Sequence, residues 1–294
     1  MIRLYKKDHT DKNITTWRWL CANSDQIEKQ TEVSTRAKIF KLPALLEFKH
    51  DFDIENLAKD IDLAKEKYGD YGWMSKADPT GSEKPYHGFG LTWNPNHIYE
   101  ISEHQSVLGN PEKTNFGHVA TTTGWGQGEP LAKDNNADTY SLVKRTRASE
   151  FGSIGNLLNN VKRTLVKSRI STIDGTFSSM RQDRPFHRDA PLFTGTRINI
   201  PIETAKPYVF DLESLNEPVH LKTGHAYSWD TNVLHRVISM RRCTTPRTHI
   251  VINVSPWWDY NSEEEYWQTN EFYGQLHPLE MVLDGHIMKG LTAV

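Results

Sequence analysis

The chain has 294 residues, and its 35 Lys and Arg against 37 Asp and Glu leave a formal net charge of −2 with neutral histidine. That balance excludes a protein that holds nucleic acid or an anionic membrane mainly by bulk charge. A 37% hydrophobic share with 11% aromatic residues supplies a sizeable core, at a length that suits one large domain or two small ones.

The first residues, MIRLYKKDHTDKN, are polar and lack the apolar stretch of a secretory signal, and no later segment approaches the roughly 18 uncharged apolar residues of a membrane span. The expectation is a soluble, cytoplasmic protein with neither membrane nor nucleic acid as partner. Cys21 and Cys243 lie far apart in a Cys-poor chain, which argues against a disulfide framework or a thiolate zinc site. A metal would have to be held by His and carboxylate.

In chain order, Ile54, Leu57, Ile61, Leu63 and Ala64 fall at helical spacing with charges between them, and Gly69 follows as a stop, so the pattern predicts an amphipathic helix from Ile54 to Tyr68. Residues 69 to 130 have no period; YGDYGW, DPTGSEKPYHGFG and TTTGWGQGEP supply Gly, Pro and aromatics. Such a region forms either binding walls or a lid, or ordinary connections over a core. GHVATTTGWGQG has no Lys-[ST] after its glycines and no strand-turn-helix context, which argues against a nucleotide-phosphate loop. Ile154, Leu157, Leu158, Val161, Leu165 and Val166 predict a second helix over Ser153 to Lys167. The period then drops to about two: RISTI, TRINIPI, PYVFDL, PVHL, HAYSW, LHRVISM and THIVINV read as short strands of an antiparallel sandwich or barrel. NSEEEYWQTNEF reads as a polar helix before an extended tail.

Within the β-rich half, FHRD places His187 and Asp189 two positions apart, on one face of an extended segment where both can meet one cation. Alone, such a triplet is common by chance in a chain with 13 His. His235 opens a later strand, and two His with one carboxylate form a ligand set for non-haem Fe(II) that leaves coordination positions open. Arg247 begins THIVINV after the turn RRCTTP. If the two strands form a hairpin, Arg247 lies roughly 17 Å along from His235, a gap that an Arg side chain and a five-carbon diacid together cover.

This order of HxD, distal His and strand-opening Arg resembles the 2-oxoglutarate and Fe(II)-dependent oxygenases. HRDAPLFTGTRINIPI with GHAYSWDTNVLHRV and TPRTHIVINVSPW is most similar to their aspartyl/asparaginyl β-hydroxylase group, which includes relatives acting on free proline. The resemblance covers about residues 165 to 258. It implies a mainly β chain with flanking helices (α+β): a double-stranded β-helix (jelly-roll, cupin-like) core over 165–258, within a single domain spanning 1–294. A helical and loop-rich extension over 1–150 would shape the substrate site, and 259–294 would be a tail. His187, Asp189 and His235 would be iron ligands, and Arg247 would hold the distal carboxylate of 2-oxoglutarate. Arg197 and Asn199 would also contact the cosubstrate, Asn199 standing where the β-hydroxylase has His; Ser171 is the nearest match to a strand Ser used in the same way. Retention of Asp189 favours the three-ligand site and disfavours halogenation.

The activity implied is hydroxylation of an amino-acid side chain, free or in a peptide, with O2 consumed and succinate and CO2 released. The same chemistry on another small metabolite, or a non-catalytic cupin-like metal site, are the alternatives. Trp73, Tyr86, His87, Phe89, Trp93 and Asn94 are candidate substrate walls, or else pack the N-terminal region onto the barrel. Arg181, Arg184 and Arg188 either recognise a substrate carboxylate or phosphate or form a solvated face, the safer reading. Arg241 and Arg242 are expected at the barrel's closed end, and His220, His225 and His249 as structural histidines. Oligomeric state is not encoded in these motifs.

Overall fold

The computed structural model describes residues 1–11, 14–39, 42–68, 86–93, 139–173, 186–240 and 243–294. In chain order the elements are β1 (Arg3–Tyr5), α1 (Thr16–Ala22), α2 (Gln26–Ile39), β2 (Leu45–His50), α3 (Ile54–Tyr68), β3 (Tyr86–Gly90), β4 (Thr92–Trp93), β5 (Lys144–Arg145) and α4 (Gly152–Leu158). There follow β6 (Arg169–Ile173), β7 (Thr196–Glu203), β8 (Tyr208–Leu212), β9 (His225–Trp229), β10 (His235–Ser239), β11 (Arg247–Val254), β12 (Trp258–Asn261), β13 (Tyr266–Thr269), α5 (Pro278–Leu283) and β14 (Leu291–Ala293). The fold is mainly β with few helices, and none of the described helices is long and apolar enough to cross a membrane.

A large antiparallel sheet runs in the order β14-β2-β9-β7-β11-β6-β3, and β10 pairs with β8 in a second, smaller ladder. The pairings are nested along the chain. Ile173 pairs with Arg247, His187 bridges His235, Asn199 pairs with Tyr227, and Phe210 bridges Val219. The stretch from β6 to β11 is therefore a ribbon doubled back on itself, with successive rungs assigned alternately to the large sheet and to the smaller one.

The period of two assigns each face of the large sheet. Ile170, Ile198, Ile200, Ile250, Ile252 and Val254 lie in one buried cluster with Leu57 and Ile61 of α3 and Ile154, Leu157 and Leu158 of α4. Each such side chain stabilises by about 1.5–3 kcal/mol, so this helix-covered outer face anchors the sheet. The alternate residues point inward, where Phe210, Leu212, Tyr227 and Trp229 form a smaller apolar cluster between the ladders. Helix α4 lacks a side-chain cap of its own. Asp60 of α3 supplies one across the interface, accepting from both the Ser153 backbone N and Oγ at 2.6 Å. A Cβ on Gly152 (φ +47°) would sit 2.3 Å from that carboxylate, so glycine is required there.

The expected strands are present, PVHL only as the bridge at Val219, and α3 has the predicted bounds. Three expectations are corrected. The second helix ends at Leu158: Val161 bridges Met288 and Leu165 bridges Val254, so the last apolar residues of the stripe are buried by extended pairing. NSEEEYWQTNEF is not helical; β12 and β13 form a hairpin whose turn carries the glutamates, while Tyr266 and Trp267 are buried. Strands β10 and β11 are not hairpin partners, since β10 pairs with β8 whereas β11 pairs with β6 and β7, so the chain crosses from one ladder to the other between them.

Helix α5 carries a pH-sensitive cap. His277 Nδ1 accepts from Leu279 N at 3.3 Å, and Glu280 Oε2 accepts from His277 N at 2.8 Å. Burial pushes the His277 imidazole down to about 4 from 6.5. The unfolded chain takes up this proton at higher pH than the folded one, so the stabilisation is complete above pH 6.5 and lost as pH falls toward 4, by about 3 kcal/mol at full extent. His277→Asn keeps a capping acceptor without titrating. Its thermal midpoint should fall less than that of the unsubstituted protein between pH 7 and 4.5; equal slopes would refute the role.

Candidate metal centre

The His187–His235 bridge is a closely spaced antiparallel pair, each backbone N–H donating to the other's carbonyl at 3.0 Å. Two residues on, Asp189 N donates to Thr231 O at 2.9 Å, and Thr231 Oγ1 donates to Ala190 O at 2.7 Å. These four bonds fix the backbone beneath three side chains. The ligand atoms of His187, Asp189 and His235 lie within 4.8 Å of one another, a spacing that one divalent cation, at about 2.0–2.2 Å from each, would close with small adjustments. His235 Nδ1 lies 2.8 Å from Val233 O, so it carries the proton and leaves the Nε2 lone pair facing Asp189 Oδ2 at 3.4 Å. Phe210 and Trp229 pack around the His235 ring, with centroids at 5.8 and 5.7 Å. Burial alone would raise the Asp189 carboxyl, but the Arg197 guanidinium bound to it, and then His235, hold it well below the usual carboxylate range. It is an anion at any working pH.

The inner face of the large sheet continues from this triad as a polar wall. Register places Arg197 opposite Asn253, Asn199 opposite Val251 and Tyr227, Arg169 opposite Val251, and Ser171 opposite His249, with Arg247 two residues further along β11. Arg247 Nη2 donates to His249 Nδ1 at 3.1 Å. His249 Nε2 is therefore the protonated nitrogen, and it is buried without a partner. Arg169 Nε, Asn199 Nδ2 and Trp229 Nε1 are likewise buried without a hydrogen-bond partner. Buried donors of native proteins are almost always paired, each unpaired one costing about 1–3 kcal/mol. Four unpaired donors thus lie on one face beside the triad, together with the unpaired acceptor Asn253 Oδ1. Burial, then the neighbouring Arg197, push the Arg169 guanidinium down to about 10, which leaves it charged at neutral pH.

The structure thus brings His187, Asp189 and His235 together and sets Arg197, Asn199, Ser171 and Arg247 on the adjoining wall. Two expected substrate walls are corrected. Phe89 is fully buried opposite Ile170 on the helix-covered face. His87 pairs with Thr172, whose hydroxyl contacts Thr248 and Lys65 of α3, so alternation also turns it away from the triad. The adjacent inward positions on β3 are Gly88 and Gly90. Tyr86 opens β3 opposite Ile173, and Trp93 lies on the β4–β5 ribbon opposite Lys144. Arg188 is exposed. Trp73, Asn94, Arg181, Arg184, Arg241 and Arg242 lie outside the described residues.

Arg169, Trp229 and His249 were not anticipated as site residues. Alternation in RIS and RTH marks Arg169 and His249 as sharing a strand face with Ser171 and Arg247, but neither this nor HAYSW shows that Arg169, His249 and Trp229 keep unpaired donors.

No protein-family model matches the chain, and no curated protein does. Among solved structures, a protein from Planctomyces limnophilus is 16% identical over 34% of this chain and 70% of its own, with a TM-score of 0.20.

Proposed function

We propose that the protein is a 2-oxoglutarate- and Fe(II)-dependent dioxygenase that hydroxylates an amino-acid side chain, releasing succinate and CO2, on a double-stranded β-helix core. The nested pairing of β6 through β11 supports the core: first rung with last, inner rungs in turn, is the wrapping of a jelly roll. The observation that carries the activity is the convergence of His187, Asp189 and His235 at one end of a wall of unpartnered buried donors. A structural metal would need the triad and have no use for the wall.

The residues present fit both groups. His187, Asp189 and His235 would hold Fe(II) on one side and leave its other positions open. Iron with 2-oxoglutarate supplies the oxidising power for C–H hydroxylation by O2. The chain's own part is positional. Val233 O orients His235 through Nδ1, and Arg197 keeps Asp189 ionised. Arg247 leans along β11 onto His249, toward the Arg197 end of the wall, where its guanidinium and the His249 Nε2–H would receive the distal carboxylate. Phe210 and Trp229 keep water from the His235 side.

The test is anaerobic titration of the purified, Fe(II)-loaded protein with 2-oxoglutarate, followed by aerobic assay for succinate. Saturable binding and substrate-dependent succinate release are expected. Metal binding with neither would leave a non-catalytic cupin-like protein.

A further inference from the structure

Asp189 offers one oxygen to two cations. Its Oδ2 lies 3.4 Å from His235 Nε2, on the side where a metal would be held, and the same Oδ2 accepts from Arg197 Nη1. Both side chains are mostly covered, so a guanidinium and a metal ion sharing that oxygen would repel each other with little screening by water. Loading the triad is therefore an exchange of one cation for another, and Arg197 needs a second acceptor.

The opposite strand supplies it. Arg197 and Asn253 are direct partners across β7 and β11, so their side chains leave the same face of the sheet about 4.5–5.5 Å apart. Asn253 is 3% exposed, and its Oδ1 has no hydrogen-bond partner among the described residues. The other unpaired atoms of this wall are donors; Asn253 Oδ1 is an acceptor, which is what a guanidinium can use. Such an atom is costly to keep unpaired, and Arg197 is the cross-strand neighbour with several N–H groups to offer. Gly195, two residues before Arg197, leaves that oxygen uncovered, since a Cβ there would lie 2.7 Å from it.

We propose that Arg197 is a two-position cation that sets metal affinity: it holds Asp189 until a divalent metal takes the carboxylate, then turns across the ladder to Asn253 Oδ1. Arg197 is in this way a positioning residue that acts through Asp189, and Asn253 is its second support. The inference rests on the triad holding a metal and is independent of the reaction that the metal serves.

The experiment titrates the full chain with Mn(II) and with Zn(II) by calorimetry, without cosubstrate, and records the thermal midpoint with and without metal. Arg197→Met removes the competing charge, so metal affinity should rise by about tenfold. The midpoint of its metal-free form should fall, because the Asp189 carboxylate loses its counter-charge. Arg197→Lys keeps a competing charge and should bind metal no more tightly than the unsubstituted protein. Asn253→Leu keeps the volume and removes the acceptor, so metal affinity should fall by about tenfold while the metal-free midpoint stays unchanged or rises. Placed on Arg197→Met, the same Asn253→Leu change should move metal affinity by less than about twofold, because the cation it serves is gone. A crystal structure with Mn(II) bound should show the Arg197 guanidinium donating to Asn253 Oδ1. Weaker or unchanged metal binding in Arg197→Met overturns the proposal and makes Arg197 a fixed support for Asp189. Equal losses from Asn253→Leu in both backgrounds overturn it too, as does a metal-bound structure with Arg197 still on Asp189. Should Arg197→Met fail to fold, the Asn253→Leu titration and that structure decide. Failure of the unsubstituted protein to bind either metal is a distinct result, which refutes the metal centre itself and the exchange with it.

Discussion

Replacing Asp189 with Ala should lower divalent-metal affinity by more than about 100-fold, beyond the 10–100-fold expected when a partner outside the ligand set is removed. Asp189 supplies one of three ligand atoms and also the counter-charge to Arg197, both side chains being mostly covered, with 15% and 14% of their surface exposed. Its removal leaves Arg197 and Arg169 facing each other with no anion between them, so the metal-free protein should lose about 3–5 kcal/mol of stability. Asp189→Asn separates the two effects. The amide keeps the shape and one coordinating oxygen, yet it leaves the guanidinium uncompensated, so it should destabilise like Ala while retaining some metal affinity. Metal titration and thermal unfolding with and without metal read both. If Asp189→Ala bound metal normally, the ion would have to be held elsewhere.

The strands were legible because their code is short-range. A run such as TRINIPI alternates strictly, and the alternation survives folding because β7 is buried on one face by helices and exposes the other to the wall. What the strands pair with was not legible. His235 and Arg247 are separated by a short connection that reads as a hairpin, but a doubled-back ribbon sends neighbouring rungs to opposite ladders. The sequence of a strand specifies its two faces and says nothing of its neighbours. The second helix was drawn too long because Val161 and Leu165 continue its helical spacing although extended pairing buries them, and the polar run before Tyr266 is the turn of a hairpin. Strands β2 and β14 add to the edge of the large sheet from beyond the motif-bearing region, with no pattern to announce them. That His187, Asp189 and His235 come together was readable from residue type and spacing. The donors of Arg169, Trp229 and His249 were not, because a lone Trp, His or Arg in a strand becomes informative only when its partners are seen to be missing.

Substitution of Arg247 by Ala should raise the dissociation constant for 2-oxoglutarate by about 10–100-fold while metal affinity changes little. A charge-assisted hydrogen bond contributes about 1.5–3 kcal/mol, and two parallel ones to one carboxylate add geometric selection. Arg247 is 9% exposed, lies on β11 of the large sheet and not in the β8–β10 ladder that carries His235, and donates to His249. The loss should therefore be confined to the far end of the wall. His249→Phe provides the companion measurement. It removes the Nε2–H donor and the acceptor that positions the guanidinium, so it should weaken 2-oxoglutarate binding less than Arg247→Ala, and the double variant should fall short of the two effects added, since the pair acts as one unit. Arg247→Lys keeps the charge without the fork and should lie between. Anaerobic titration with 2-oxoglutarate beside a metal titration decides the matter: equal loss of both affinities in Arg247→Ala would mean that the residue supports the fold of the wall, and the assignment of its guanidinium to the cosubstrate would fall.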